Sequence, residues 1–269
     1  MNNFFKDREI TALNILFSLV VIWDIYLYFL PTHIEPANYL YNVGYALLFY
    51  AAGYYGLKGA QKNFGTNMGK MFSFIGYSGF TYGTGLVIWT YYNFVLKIET
   101  PYPSLADIFF LPYAPFIAVG FSYLLKIYKS AVSKAIIWQA TIIGLTFFAT
   151  VAYSVIIPTF SEDISFYAKA LNVIYPLSGA ILLSISYISL RSSGGITKSN
   201  LNILGLSLLL QTSADTIFTY RSGKETYWNG DIGDLAFTVS AYLLTLFLIR
   251  MLKDLGRPQD SLRVSQSSL

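Results

Sequence analysis

Pro101-Tyr102-Pro103-Ser104-Leu105-Ala106-Asp107 is a short polar break between two long apolar runs. The device returns in altered form at Asn229-Gly230-Asp231-Ile232-Gly233-Asp234, which also leads into an apolar run. The runs are about 20 residues long, enough for a helix to cross some 30 Å of hydrocarbon at 1.5 Å per residue. Each break therefore marks the outer end of a hairpin of membrane helices and sets a carboxylate where the chain enters lipid. Composition agrees: the 269 residues are 55% apolar and 12% charged, with mean hydropathy +0.51, whereas a soluble domain is about 25% charged. The apolar runs lack the alternation of barrel strands, so the spanning elements are helices.

Working outward gives an all-α polytopic bundle of eight spans, roughly 10–30, 37–57, 71–96, 105–125, 135–157, 166–190, 200–220 and 233–252. Residues 1–253 form one membrane domain and 254–269 a short cytoplasmic tail. No small-residue cleavage site follows the first run, so it reads as a membrane helix and not as a cleaved signal. Of the 18 Lys and Arg, 14 fall on the side of the two termini: residues 6, 8, 58, 62, 70, 126, 129, 134, 191, 198, 250, 253, 257 and 263. Only Lys97, Lys169, Arg221 and Lys224 fall on the other. By the positive-inside rule both termini are cytoplasmic, in a cell membrane. Ten of the 14 acids lie toward the outer face, including Glu162, and only Asp7, Glu9, Asp254 and Asp260 toward the inner.

Compared with itself at an offset of 127, the chain places Pro31, Thr32 and Glu35 on Pro158, Thr159 and Glu162. Lys97, Asp107, Phe110, Ala114 and Lys126 fall on Lys224, Asp234, Phe237, Ala241 and Lys253. Two four-helix repeats, 1–127 and 128–253, would leave a shared crevice between them. Gly76, Gly79 and Gly83 share a face of the third span, where small residues let helix backbones approach.

Ser104 and Asp107 fit a capping box, and Asp231 and Asp234 fit the same scheme. Asp24 and Asp215 lie five or six residues inside their helices, too deep to reach water easily, so each should face the bundle interior with a partner. Arg221, at the end of the same helix, is the expected partner of Asp215. The candidate ligand site is therefore Asp24, Trp89, Asp107, Asp215, Arg221 and Asp234, an acidic and aromatic pocket suited to an amphipathic or cationic ligand. Cysteine is absent and there is one histidine, which excludes thiolate chemistry and a multi-histidine metal centre. No metal or cofactor is expected, no nucleic acid, and no catalytic motif occurs.

Pro101-Tyr-Pro-Ser-Leu-Ala-Asp-Ile-Phe-Phe110 with Pro112-Tyr113, and Ala214-Asp215 … Tyr220 … Gly223 … Tyr227 … Gly230 … Asp234-Leu-Ala-Phe237, resemble a multipass membrane module. That module is found at the N-terminus of bacterial and archaeal diguanylate cyclases and histidine kinases. The resemblance implies a prokaryotic sensor that signals through a cytoplasmic output domain. Only a short tail follows Lys253 here, so the expected partner is a separate cytoplasmic signalling protein or membrane complex.

The expectation is a non-enzymatic membrane sensor in which a small ligand or a proton changes carboxylate pairing. A proton- or ion-coupled secondary transporter is the alternative, as is a structural subunit of a membrane complex.

Overall fold

The computed structural model describes residues 7–128, 132–160, 163–192 and 195–255. Lys6, Lys129, Glu162, Arg257, Asp260, Arg263 and the tail beyond Leu255 lie outside the described residues. No strand occurs among the described residues, and eight long helical stretches follow one another through short connections. They are α1 (Arg8–Leu27), α2 (Pro36–Lys62), α3 (Asn67–Thr90), α4 (Leu105–Ile127), α5 (Lys134–Val151), α6 (Phe166–Arg191), α7 (Gly195–Ser222) and α8 (Ile232–Asp254).

Local chemistry sets most of the starts. Asp7, Thr66, Ser133, Ser165 and Asp231 each accept a hydrogen bond from a free amide of the following turn, the usual N-cap arrangement. Glu35 is followed by Pro36 at the first helical position. A π-helical turn, Tyr91–Leu96, extends α3, and another, Ala152–Ile156, extends α5 into a last turn at Ile157–Phe160. Helix α4 is offset at Leu111–Pro112.

Among the described residues six helices are long and apolar enough to cross a membrane: α1 and α4 to α8. The chain is thus an all-α membrane bundle. Helices α2 and α3 are as long, at 27 and 24 residues, but are richer in glycine, tyrosine and asparagine. Their position accounts for this. Both pack chiefly on other helices, so side chains that lipid would not accept can meet partners inside.

Six helices close a ring in the order α2, α3, α4, α6, α7, α8 and back to α2. Helix α1 lies outside it against α2 and α8, and α5 lies outside against α6. The neighbour relations recur every four helices: α2 on α8 matches α6 on α4, and α1 on α2 matches α5 on α6.

The closest contact in the ring is between α2 and α3. A Cβ built on Gly56 would stand 2.3 Å from the Gly76 Cα, and one on Gly79 would stand 2.5 Å from the Phe49 carbonyl oxygen. The glycine face of α3 is therefore a packing face.

At one end of the bundle the two ends of the described chain meet. Lys253 pairs with Asp7 and, at 3.3 Å, with Glu9, which also pairs with Lys58 at 2.6 Å. Burial would raise the Asp7 carboxyl, but its hydrogen bonds to Lys253 and two amides, with the Lys253 charge, hold it below 3.8.

Gly56→Ala should lower the thermal midpoint in detergent, at a cost of about 1–3 kcal/mol. Gly223→Ala, at an exposed helix end, should change stability by no more than about 0.5 kcal/mol. The Asp7 contribution is fully present above its unfolded value of about 3.9 and is lost as pH falls through the lower folded value. Acid unfolding should accordingly be less steep in Asp7→Asn than in wild type; equal steepness would contradict the clasp.

Candidate functional site

At the opposite end the segment Tyr227–Asp231 does not stay on the surface. Asn229 and Asp231 are buried, and Gly230 turns the chain with φ +98°. Asn229 holds the segment in place. Its Oδ1 accepts from Asn42 Nδ2 (2.7 Å), Trp89 Nε1 (3.0 Å) and Tyr227 Oη (3.4 Å), and its carbonyl accepts from Asn38 Nδ2 (3.1 Å). Trp228 stacks on His33 with ring centroids 3.9 Å apart, and a Cβ on Gly230 would meet Leu27 at 2.3 Å. Helices α1, α2, α3 and α8 are all tied to this one loop.

The loop then starts α8. Asp231 Oδ1 accepts from the Gly233 and Asp234 amides at 2.8 and 3.3 Å, and its Oδ2 faces Arg221 Nε at 2.9 Å. Arg221 also donates to the Thr226 carbonyl at 2.9 Å. The expected pairing of Arg221 with Asp215 is thus replaced by Arg221 with Asp231. Helical geometry explains the correction: six residues turn by about 600°, leaving the two side chains about 120° apart around α7.

Asp234 reaches back over its own N-terminus and is saturated. Its Oδ2 accepts from the Gly230 amide (2.7 Å) and Tyr227 Oη (3.1 Å), and its Oδ1 takes Tyr45 Oη at 3.5 Å. Burial, with the Asp234 and Asp231 charges, pushes the Tyr227 hydroxyl well above its ordinary range, so it stays a donor. Asp107 is placed in the same manner on α4. Its Oδ2 accepts from the Ser104 amide (2.6 Å) and hydroxyl (3.0 Å), and its Oδ1 accepts a short bond from Tyr175 on α6.

Asp24 and Asp215 differ. Asp24 is 1% exposed, and its Oδ1 has no hydrogen-bond partner among the described residues. Tyr41 lies beside it, but the Tyr41 hydroxyl is bonded to Thr238 Oγ1 at 2.9 Å. Thr238 also bonds the Asp234 carbonyl at 2.9 Å, so the one Tyr41 proton is shared between Thr238 and Asp24. Asp215 is half-buried, and no hydrogen bond or ion pair reaches its carboxylate among the described residues. Its charge acts on Tyr82, Tyr113 and Tyr175.

The six expected residues therefore fall into two groups. Asp24, Trp89, Arg221 and Asp234 gather around the Asn229 loop, with Asp24 close enough to act electrostatically on Asp234. Asp107 bonds Tyr175, which the Asp215 charge also reaches. Between the groups the interior is aromatic, running Tyr41, Tyr45, Phe237, Tyr82 and Tyr113 at centroid spacings of 5.0–6.4 Å. Asn38, Asn42, Tyr175, Tyr227 and Asn229 belong to the site and were not among the expected residues. Asn229 and Asp231 were within reach of sequence reasoning, since both stand in the quoted polar break.

A groove of about 370 Å³ opens elsewhere, lined by Phe147, Leu183, Leu209, Thr212 and Ile217. The Thr212, Ser213 and Thr216 hydroxyls bond back to their own helix, so this groove is largely apolar, and no carboxylate lines it. No group of His, Cys, Asp and Glu suited to a metal ion occurs among the described residues. No family model, curated protein or solved structure matches the chain at a significant level.

Asn229→Ala removes the acceptor of Trp89 Nε1 and leaves Asn42 Nδ2 only the Tyr39 carbonyl at 3.3 Å, while Tyr227 keeps Asp234; leaving one such donor unmet costs about 1–3 kcal/mol. The substitution should lower the thermal midpoint in detergent more than any single loss among the exposed hydroxyls of α7, such as Thr219→Ala. Gly230→Ala, strained by its positive φ and by Leu27, should do at least as much.

Proposed function

We propose that the protein is a non-enzymatic membrane sensor that binds a small ligand or a proton in the polar interior beside the Asn229 loop. The observation that carries the reading is the contrast among its carboxylates. Asp107, Asp231 and Asp234 are saturated by caps, tyrosines or Arg221 and build structure. Among the described residues Asp24 is enclosed with one oxygen unmet, and Asp215 is half-buried with no donor on its carboxylate, an arrangement that costs free energy and is retained where the group has a task. Occupying either acid would change its pairing with α2 or with the tyrosines of α3, α4 and α6, and so shift helix packing. A separate cytoplasmic protein would read the shift at the loops near the Asp7–Lys253 clasp.

In this reading α2 and α3 also cross, giving eight spans in a cell membrane. The basic end, with both termini, faces the cytoplasm, and the Asn229 loop faces out. The four-helix recurrence of neighbours supports two repeats, 1–127 and 128–253. The resemblance of 101–113 and 214–237 to prokaryotic sensor modules points the same way.

Coupled transport is the competing reading, because polar side chains continue down α7 and α8. Ser240 Oγ lies 3.1 Å from Gln211 Oε1 and 2.9 Å from the Ser207 carbonyl. These groups bond one another and are fully buried, with Leu204, Leu208, Leu244 and Leu248 all at 0% exposure. That closed inner half favours the sensor.

In proteoliposomes carrying a pH gradient, wild type should show no proton flux above that of protein-free vesicles. Its tryptophan emission should still shift on titration from mildly acidic to mildly alkaline pH, and Asp24→Asn or Asp215→Asn should reduce the shift. A flux present in wild type and lost in Asp215→Asn would replace the sensor with a transporter.

A further inference from the structure

We propose that Tyr82, Tyr113, Gln211 and Asp215 form a binding site for a small primary ammonium ion at the centre of the six-helix ring; this deepens the sensor reading and rests on it. Gln211 and Asp215 are one turn apart on α7 and share a face. Gln211 is fully buried, with its Nε2 unpartnered among the described residues although its Oε1 takes Ser240 at 3.1 Å. Tyr113, 3% exposed, has a hydroxyl that lies near Ser240 but forms no hydrogen bond of ordinary geometry. Gln211 shares the Asp215 face by its register on α7 and lies beside the Tyr82 hydroxyl, and Tyr113 packs on the Tyr82 ring at 5.0 Å, where the Asp215 charge also reaches. The carboxylate is half-buried, while its neighbour Ala214 is fully buried. One helical turn toward the loop, Phe218 packs on Trp89 and Tyr227 at 5.7 and 4.8 Å, so the mouth of the site on that side is aromatic.

The unmet groups define the ligand. An ammonium group has three N–H donors, and the site offers three acceptors. They are the Asp215 carboxylate, the Tyr113 hydroxyl oxygen, and the Gln211 carbonyl once its amide is turned over so that the NH₂ faces Ser240. The Tyr82 ring, among Phe49 (4.5 Å), Phe110 (4.9 Å), Tyr113 (5.0 Å) and Phe237 (5.8 Å), supplies aromatic surface for the cation. A hard metal cation takes about six or more oxygens, which these residues do not provide.

The test uses full-length protein in detergent at fixed pH and ionic strength, titrated with methylammonium, choline or sodium chloride while the thermal midpoint is followed by tryptophan fluorescence. Methylammonium should raise the midpoint saturably, and choline, which lacks N–H donors, and sodium should not. Asp215→Asn should abolish the effect. Tyr113→Phe, which keeps the ring, should raise the half-saturating concentration about tenfold, as the loss of one hydrogen bond implies. No shift with methylammonium, an equal shift with choline or sodium, or an effect unchanged in both variants would overturn the site. If methylammonium fails while the wild-type emission still titrates with pH through Asp24 or Asp215, this inference falls and the sensor reading stands. If both responses are missing, both fall.

Discussion

A polar group inside a bundle surrounded by lipid has no water to fall back on, so every donor and acceptor must be met from within the chain. In this protein the Asn229 side chain answers most of that demand at one end. Its single Oδ1 serves Asn42, Trp89 and Tyr227, drawn from α2, α3 and the loop itself. That convergence pulls Tyr227–Asp231 off the surface and buries Asp231 as the cap of α8. It also leaves Arg221 to neutralise Asp231 and not the deeper Asp215.

With the capping acids satisfied, the remaining acids stand out. Asp24 and Asp215 sit on α1 and α7, the first beside Tyr41, which bonds Thr238, and the second within reach of Tyr113, whose hydroxyl has no hydrogen bond of ordinary geometry. The aromatic run from Tyr41 to Tyr113 links their surroundings through a closely packed interior, where a small change at one group is felt as a repacking and not as a local adjustment. The other end of the bundle is built differently. Asp7, Glu9, Lys58 and Lys253 pair with each other, and the leucines of α7 and α8 fill the space between. The unmet carboxylate oxygen of Asp24 and the unmet hydroxyl of Tyr113 lie away from this end, where Asn200 and Asn202 each leave an amide oxygen without a partner among the described residues.

Much of the fold was legible in the sequence because its signals are local. Run length and the absence of alternation gave helices, the Ser104–Asp107 and Asp231–Asp234 spacings gave two helix starts, and the glycine face of α3 gave a close contact. Helix ends were less certain: α1 stops at Leu27 where about residue 30 was expected, and α2 runs on to Lys62. The depth of Asp24 and Asp215 was also readable, being a matter of counting residues from a helix end. The Arg221–Asp215 pairing failed because proximity along a helix was taken for proximity around it. The Tyr175–Asp107 and Asn42–Asn229 bonds join residues 68 and 187 positions apart, and no local pattern announces such partners. The grouping of the acids into two sets depended on them.

The chain contains no cysteine, so single thiols can be introduced without background, and accessibility from each side of the membrane is the most direct test of a polar site open only toward the Asn229 loop. In oriented vesicles, Asp215→Cys should react with a small cationic methanethiosulfonate reagent added on the non-cytoplasmic side. Leu204→Cys and Leu248→Cys should stay unreactive from either side. Labelling of Asp215→Cys from the cytoplasmic side, or reaction at Leu204→Cys, would show an open inner half and contradict the account.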